Sequence, residues 1–301
     1  MAESPRLKRL MNAQSTIIEK VSPVIALVPD ENLKKVLSES FSESQEAVSF
    51  IEQCFQTIPR QKWSNGFLAK FFNSWKASHL KMLAIYGLSC RLQRLAFSMG
   101  EPLREKLLIA AAKNAETSHE DLGLDYNGST HAELYDEFAG SFLEDSSWQL
   151  DSYCLPEAKE FKKWIYLNMV VEEIQQGLIA NMFSEIYNHA EYSIALPAFS
   201  AFIDNHYTFS AEKRKRALYY IDAHVQDETE VGHFLVVVEA LGYYNQVMGI
   251  DTNYEQAKRL FKQYLTRLGH IMRALTSRMQ QEQDGAYDSS NANFAGERAL
   301  V

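Results

Sequence analysis

Apolar residues recur at three- and four-residue spacing along most of the chain, as in Leu68, Phe71, Phe72, Trp75, Leu80, Leu83 and Ile85 to Leu88. Sustained two-residue alternation is scarce, so the periodicity is that of helices with one buried face. With only 13 Gly and 7 Pro in 301 residues, few breakers interrupt these runs. The pattern predicts an all-α protein with helices over 6–28, 31–57, 65–98, 102–122, 131–145, 157–192, 196–203, 211–246 and 252–280. These form a bundle of about seven to nine helices around one core. Residues 1–280 read as one domain, and from 281 to 301 the sequence turns to Ser, Asn, Gln and Gly without periodicity, which predicts a disordered tail.

The net charge of −9 argues against a broad phosphate-binding surface, so nucleic acid is not the expected partner. The N-terminus lacks the compact apolar stretch of a signal peptide, and no apolar run reaches the roughly 20 residues of a membrane span. A cytoplasmic protein without membrane contact is expected. Cys54, Cys90 and Cys154 are widely separated and without Cys-x-x-Cys spacing, so three buried reduced thiols are expected rather than disulfides or a thiolate metal site. No Walker-type or Gly-x-Gly-x-x-Gly loop and no Gly-x-Ser-x-Gly element occurs.

The chemistry-bearing feature is the placement of His and acidic residues. Glu116 and His119 lie three positions apart, about 60° around a helix, and can share a metal ion. A denser cluster carries His224, Asp227, Glu228, Glu230 and His233, followed at once by the apolar run Phe234–Val238, which draws part of the set inward. Buried carboxylates need a compensating cation, and a metal supplies one. His224 and His233 are about 180° apart on an ideal helix, so both reach one site only if the helix is distorted. His224 with Glu228, at about 40°, and Glu230 with His233, at about 60°, can each chelate alone. A further carboxylate is expected from another helix. Glu185, set among apolar neighbours, is the first choice, with Glu172, Glu173 and Glu191 as alternatives.

Glu116-Thr-Ser-His119, Asn181-Met-Phe-Ser-Glu185 and His224-Val-Gln-Asp-Glu228 with His233 downstream resemble, in order and approximate spacing, the haem-oxygenase-like diiron oxidases over residues 65–245. The similarity is greatest to the branch containing the fatty-acid decarboxylase that forms terminal alkenes. The resemblance implies a TenA/PqqC-type helical fold and a cytoplasmic non-haem diiron oxidase or oxygenase. Two irons, or an iron–manganese pair, would use O2 through a peroxo-diiron intermediate. It implies as ligands Glu116 and His119, then Glu185, then His224, Glu228 and His233, with Glu230 and Asp227 in reserve. His233 stands two residues later than the family's last His, so the favoured reading has local unwinding absorb the difference; in the other, the helix stays regular and Glu230 and His233 bind while His224 is displaced. A second alignment replaces Glu116 and His119 by Asp121 and His131, but Asn127-Gly128 makes the approach to His131 loop-like, which ranks it second.

Substrates implied by the family are small carboxylates, amino acids or amines, and fatty acids, undergoing C–C cleavage, desaturation with decarboxylation or N-oxygenation. The partners are then this small molecule and an external electron donor, and homodimers are common among folds of this size. Two other readings compete. A ferritin-like diiron oxidase would combine the two Glu-x-x-His units with Glu46 or Glu52, and a metal-free helical scaffold would leave the acidic-His cluster facing solvent. His79 is expected to be a hydrogen-bonded structural histidine, and His189, His206 and His270 have no partner pattern.

Overall fold

The computed structural model describes residues 16–79, 81–123, 128–225 and 229–285. Twelve α-helices and no strand are found among them: α1 Ile17–Ala26, α2 Glu31–Glu43, α3 Gln45–Thr57, α4 Asn65–His79, α5 Met82–Phe97, α6 Leu103–Glu116, α7 His131–Gly140, α8 Pro156–Tyr166, α9 Ile174–His206, α10 Ala211–Val225, α11 Thr229–Met248 and α12 Tyr254–Gln283. The all-α expectation therefore holds, with more and shorter helices than the periodicity implied.

The axis of the bundle is α9. This 33-residue helix is buried on every face over most of its length, from Leu178, Ile179 and Met182 to Phe199 and Phe202. Helices α1, α5, α10, α11 and α12 pack around it. A helix surrounded in this way has no solvated stripe, so its polar residues Asn181, Ser184, Glu185, Asn188 and Glu191 lie in the interior. Pro197 was read as a boundary, yet α9 runs through it. One ladder donor is lost there, and the burial of Ala195, Ala198, Phe199 and Phe202 outweighs it.

Elsewhere, expected helices are split. Ser44 separates α2 from α3, and the stretch predicted as 65–98 breaks between His79 and Met82. A π-helical turn at Leu167–Val171 and an extended Glu172 (ψ −179°) end the segment that begins with α8. Glu172 and Glu173, offered above as alternative ligands, are exposed at this break. Two segments of the sequence reading, the start of the helix over 6–28 and most of the tail after 281, lie outside the described residues.

The outer layer is held by close helix contact. A Cβ on Gly269 of α12 would stand 2.8 Å from Ala47 Cα and Cβ on α3, so only glycine lets the two backbones approach this far. Gly269→Val should lower unfolding stability by about 1–3 kcal/mol in urea titration, the usual cost of overpacking. Unchanged stability would show that α3 can move aside.

A buried carboxylate and histidine cluster

Glu185 of α9 and Glu230 and His233 of α11 each offer a donor atom, and these atoms all lie within 4.8 Å of one another. Glu185 and Glu230 are 4% and 3% exposed, so the two carboxylates meet in the interior rather than on a solvated face. His233 Nδ1 is 3.9 Å from Glu185 Oε2. On the other side His224, 3% exposed, places Nε2 3.9 Å from Glu230 Oε1.

Local structure explains the convergence. Helix α10 stops at Val225 and α11 starts at Thr229, so His224 and His233 belong to separate helices and the half-turn that would oppose them in one regular helix does not apply. The carboxylate brought in beside them is Glu230. This arrangement draws on both alternatives left by the sequence, since His224 stands beside Glu230 and Glu230 beside His233. Asp227 and Glu228 lie outside the described residues.

His131 joins from α7. Its Nδ1 hydrogen-bonds Asp121, and its ring centroid is 4.5 Å from that of His224. Asp121 thus contacts the histidine rather than the carboxylate cluster and fixes its tautomer and ring orientation, the role such a carboxylate has where a histidine binds a metal. His131 opens α7 behind a capping box formed by Thr130 and Glu133. Gly123, at φ +77°, closes the preceding loop, since a Cβ there would come 2.7 Å from the Ser129 carbonyl oxygen.

The first-choice pair Glu116 and His119 is displaced: both are exposed. The buried face of α6 runs through Leu107, Ala110, Ala111 and Asn114 and continues into Thr117 and Ser118, which sets 116 and 119 on the opposite phase. Leu108, apolar like Leu107 and Ile109, is itself 42% exposed. The inward position on this helix belongs to Asn114, which donates to Ile85 O (3.1 Å) and Ser89 Oγ (2.8 Å) and accepts from Asn181 (3.1 Å). The ferritin-like reading also loses its extra carboxylate. Glu46 is exposed, and Glu52 accepts from the Ile17 amide at 2.8 Å.

Glu191, the remaining alternative, is fully buried but engaged elsewhere. His79 Nε2 lies 2.5 Å from its Oε2, and Tyr187 donates to its Oε1 at 2.8 Å. His79 Nδ1 is 2.8 Å from the Trp75 carbonyl, so His79 is the hydrogen-bonded histidine expected. Tyr192 and Tyr220 join hydroxyls at 2.7 Å and wall the cluster, their ring centroids 4.2 and 4.7 Å from that of His224. His206 is held by the Pro59 carbonyl at 2.9 Å, and His270 is exposed. The thiols do not share one environment: Cys54 is buried, Cys154 half-buried and Cys90 exposed. Burial pushes the Cys54 thiol up to about 12, which keeps it protonated.

No protein-family profile and no curated protein matches the sequence. The crystal structure of a TenA homolog from Pseudomonas syringae pv. tomato str. DC3000 matches the chain with a TM-score of 0.60 at 12% identity, over 81% of this chain and 93% of that one. The fold is TenA-like.

Within the TenA-like bundle the donor chemistry suits a hard or borderline cation. His224 Nδ1 lies 2.5 Å from the Tyr220 carbonyl and donates to it, which leaves Nε2 unprotonated and facing Glu230. Burial, reinforced by His131, lowers the His224 pKa well below the usual imidazole value, so the ring is a neutral ligand at pH 7. Burial and the adjacent Glu185 raise the Glu230 carboxyl well above its ordinary value, and Glu230 Oε2 is buried with no hydrogen-bond partner. Two carboxylates in this position need either a shared proton or a cation. Oxygen and imidazole donors fit iron or manganese better than a thiophilic metal.

In chelator-treated protein, Glu230 is protonated when folded and ionised when unfolded, so its contribution to stability is lost as pH rises from about 4.5 toward its folded value. Glu230→Gln removes this dependence. The variant should be more stable than the parent at pH 8, with the gap closing by up to about 1.4 kcal/mol per pH unit toward pH 4.5. Thermal denaturation across that range measures it, and a less stable variant at pH 8 would mean that Glu230 is held ionised.

Proposed function

We propose that the chain is a non-haem diiron oxidase or oxygenase that uses O2 on a small carboxylate, an amino acid or amine, or a fatty acid. The observation that carries this reading is the convergence of Glu185, Glu230 and His233 in the interior, with His224 beside Glu230 and His131 beside His224. The resemblance of the sequence to haem-oxygenase-like diiron oxidases and the TenA-like fold support it.

The residues that would hold the metals are Glu185, Glu230, His131, His224 and His233. When bound, an iron pair supplies the reduction of dioxygen and the oxidation of the substrate. The protein supplies the rest. Asp121 and the Tyr220 carbonyl fix the tautomers of His131 and His224, and Ser184 donates to Glu185 Oε1 at 3.1 Å, which orients that carboxylate. Trp75, Tyr192 and Tyr220 exclude water and keep the local dielectric low. Burial raises the Tyr192 and Tyr220 hydroxyls above the ordinary phenol value, so both remain neutral and one donates to the other.

Anaerobic reconstitution with ferrous iron should load about two irons per chain. Glu185→Ala and His233→Ala should each cut occupancy by at least about half, while Glu116→Ala and His270→Ala retain it, because a lost ligand typically costs orders of magnitude in affinity and an exposed side chain does not. Full loading of both inner variants, or no iron in the parent, would remove the reading. The ferrous protein should also consume oxygen faster in the presence of its substrate, which a screen of amino acids and fatty acids by oxygen electrode would identify.

The loop that presents Asp121 and His131 gives a separate test. Gly123→Ala strains a positive-φ turn against the Ser129 carbonyl. It should reduce iron occupancy with little change in helix content by circular dichroism. Normal occupancy would show that His131 does not contribute to binding.

A further inference from the structure

Lys81 is 5% exposed, and among the described residues its ammonium makes no close ion pair, its charge being felt at Glu230. With the Asn188 amide turned so that its nitrogen donates to the Ser184 carbonyl (3.1 Å), its oxygen accepts from Lys81 Nζ at 3.2 Å. An ammonium carries three donors, and among the described residues this amide is the hydrogen-bond partner of its head group. Burying an ammonium with so little compensation is costly, and such residues occur where the charge has work to perform on a ligand.

The backbone is interrupted at the place that directs Lys81 inward. His79 ends α4 and Lys81 precedes α5. In one continuous helix the two side chains would point about 200° apart. Across the break both reach α9, His79 at Glu191 and Lys81 at Asn188, which is three residues beyond Glu185 and on the same face. The positive charge therefore sits beside the carboxylate cluster, and it acts on Glu230 against the effect of burial.

We propose that Lys81 is the substrate-anchoring group of this site, its ammonium receiving the carboxylate of an organic acid with Asn188 alongside. The proposal rests on the functional reading above and narrows it to substrates bearing a carboxylate. An amine without one, or a neutral hydrocarbon, would leave the ammonium buried and unanswered. Lys81 is a specificity residue here: it binds the acid group and leaves the metals to their own ligands.

The probes are octanoate, L-leucine and the neutral isostere octanamide, titrated by calorimetry into anaerobic ferrous protein and into the metal-free protein. Octanoate or L-leucine should bind the parent at least about tenfold more tightly than Lys81→Met, the scale of a hydrogen bond to a charged group. Octanamide should bind both proteins equally, and Lys81→Arg should recover part of the loss. Iron content of Lys81→Met should equal that of the parent. Equal carboxylate affinity in parent and Lys81→Met overturns the proposal, as does binding of neither acid by the parent. Loss of iron from Lys81→Met would identify Lys81 as the counter-charge of the cluster and also overturns it. If the parent binds no iron but its metal-free form binds the acid in a Lys81-dependent way, the oxidase reading falls and the anchor stands.

Discussion

Two carboxylates, Glu185 and Glu230, face each other inside a helical bundle, and most of the polar architecture follows from that placement. Neither can be ionised there without an answering positive charge, and both cannot be ionised together without more than one. Two histidines at the border of this pair supply lone pairs rather than protons. Asp121 holds His131 through Nδ1, and the Tyr220 carbonyl holds His224 through Nδ1, so the ring nitrogens left over are acceptors. A cluster made of acceptors is stable only around protons or metal ions. The bundle pays for this local deficit with the apolar burial that surrounds it, notably on α9.

The helix interruptions are positioning devices. A regular α-helix fixes the angle between any two of its residues, and that angle would separate His224 from His233 by about 180° and His79 from Lys81 by about 200°. Ending α10 at Val225 and α4 at His79 removes both constraints. The break at Lys81 costs ladder hydrogen bonds and brings His79 and Lys81 to the same helix, α9. Gly123 does the same for His131, since the tight approach to Ser129 turns the chain back toward the bundle just after Asp121.

How much was legible in the sequence depended on whether a residue lay within a strong periodic pattern. The all-α class and the inward placement of Glu185 could be read because their neighbours are apolar, whereas the bounds of α9 could not, since the expected helices 157–192 and 196–203 divide the chain elsewhere. Glu116 and His119 misled because Leu107, Leu108 and Ile109 are all apolar and admit two phases; the small residues Ala110, Ala111 and Asn114, which carry weak hydrophobic signals, define the buried face. Asp121 and His131 were visible only as a second alignment, since a loop between them hides their proximity from any helical pattern. Lys81 gave no signal at all. A lysine following an apolar helix reads as solvent-facing, and only the break before α5 turns it inward.

The aromatic wall completes the logic of the site. Tyr192 and Tyr220 satisfy one another through a 2.7 Å hydroxyl contact, and Tyr187 is satisfied by Glu191. Glu191 is in turn hydrogen-bonded by His79, so both of its oxygens have a partner. The polar groups around the cluster are thereby consumed in pairs. Among the described residues Glu230 Oε2 and Trp75 Nε1 are buried without a hydrogen-bond partner, and the Lys81 ammonium is met by the Asn188 amide. With only this lysine to offset two buried acids, a metal held among the carboxylates would take over their charge and release the ammonium for an anion, which is what the proposed anchor requires.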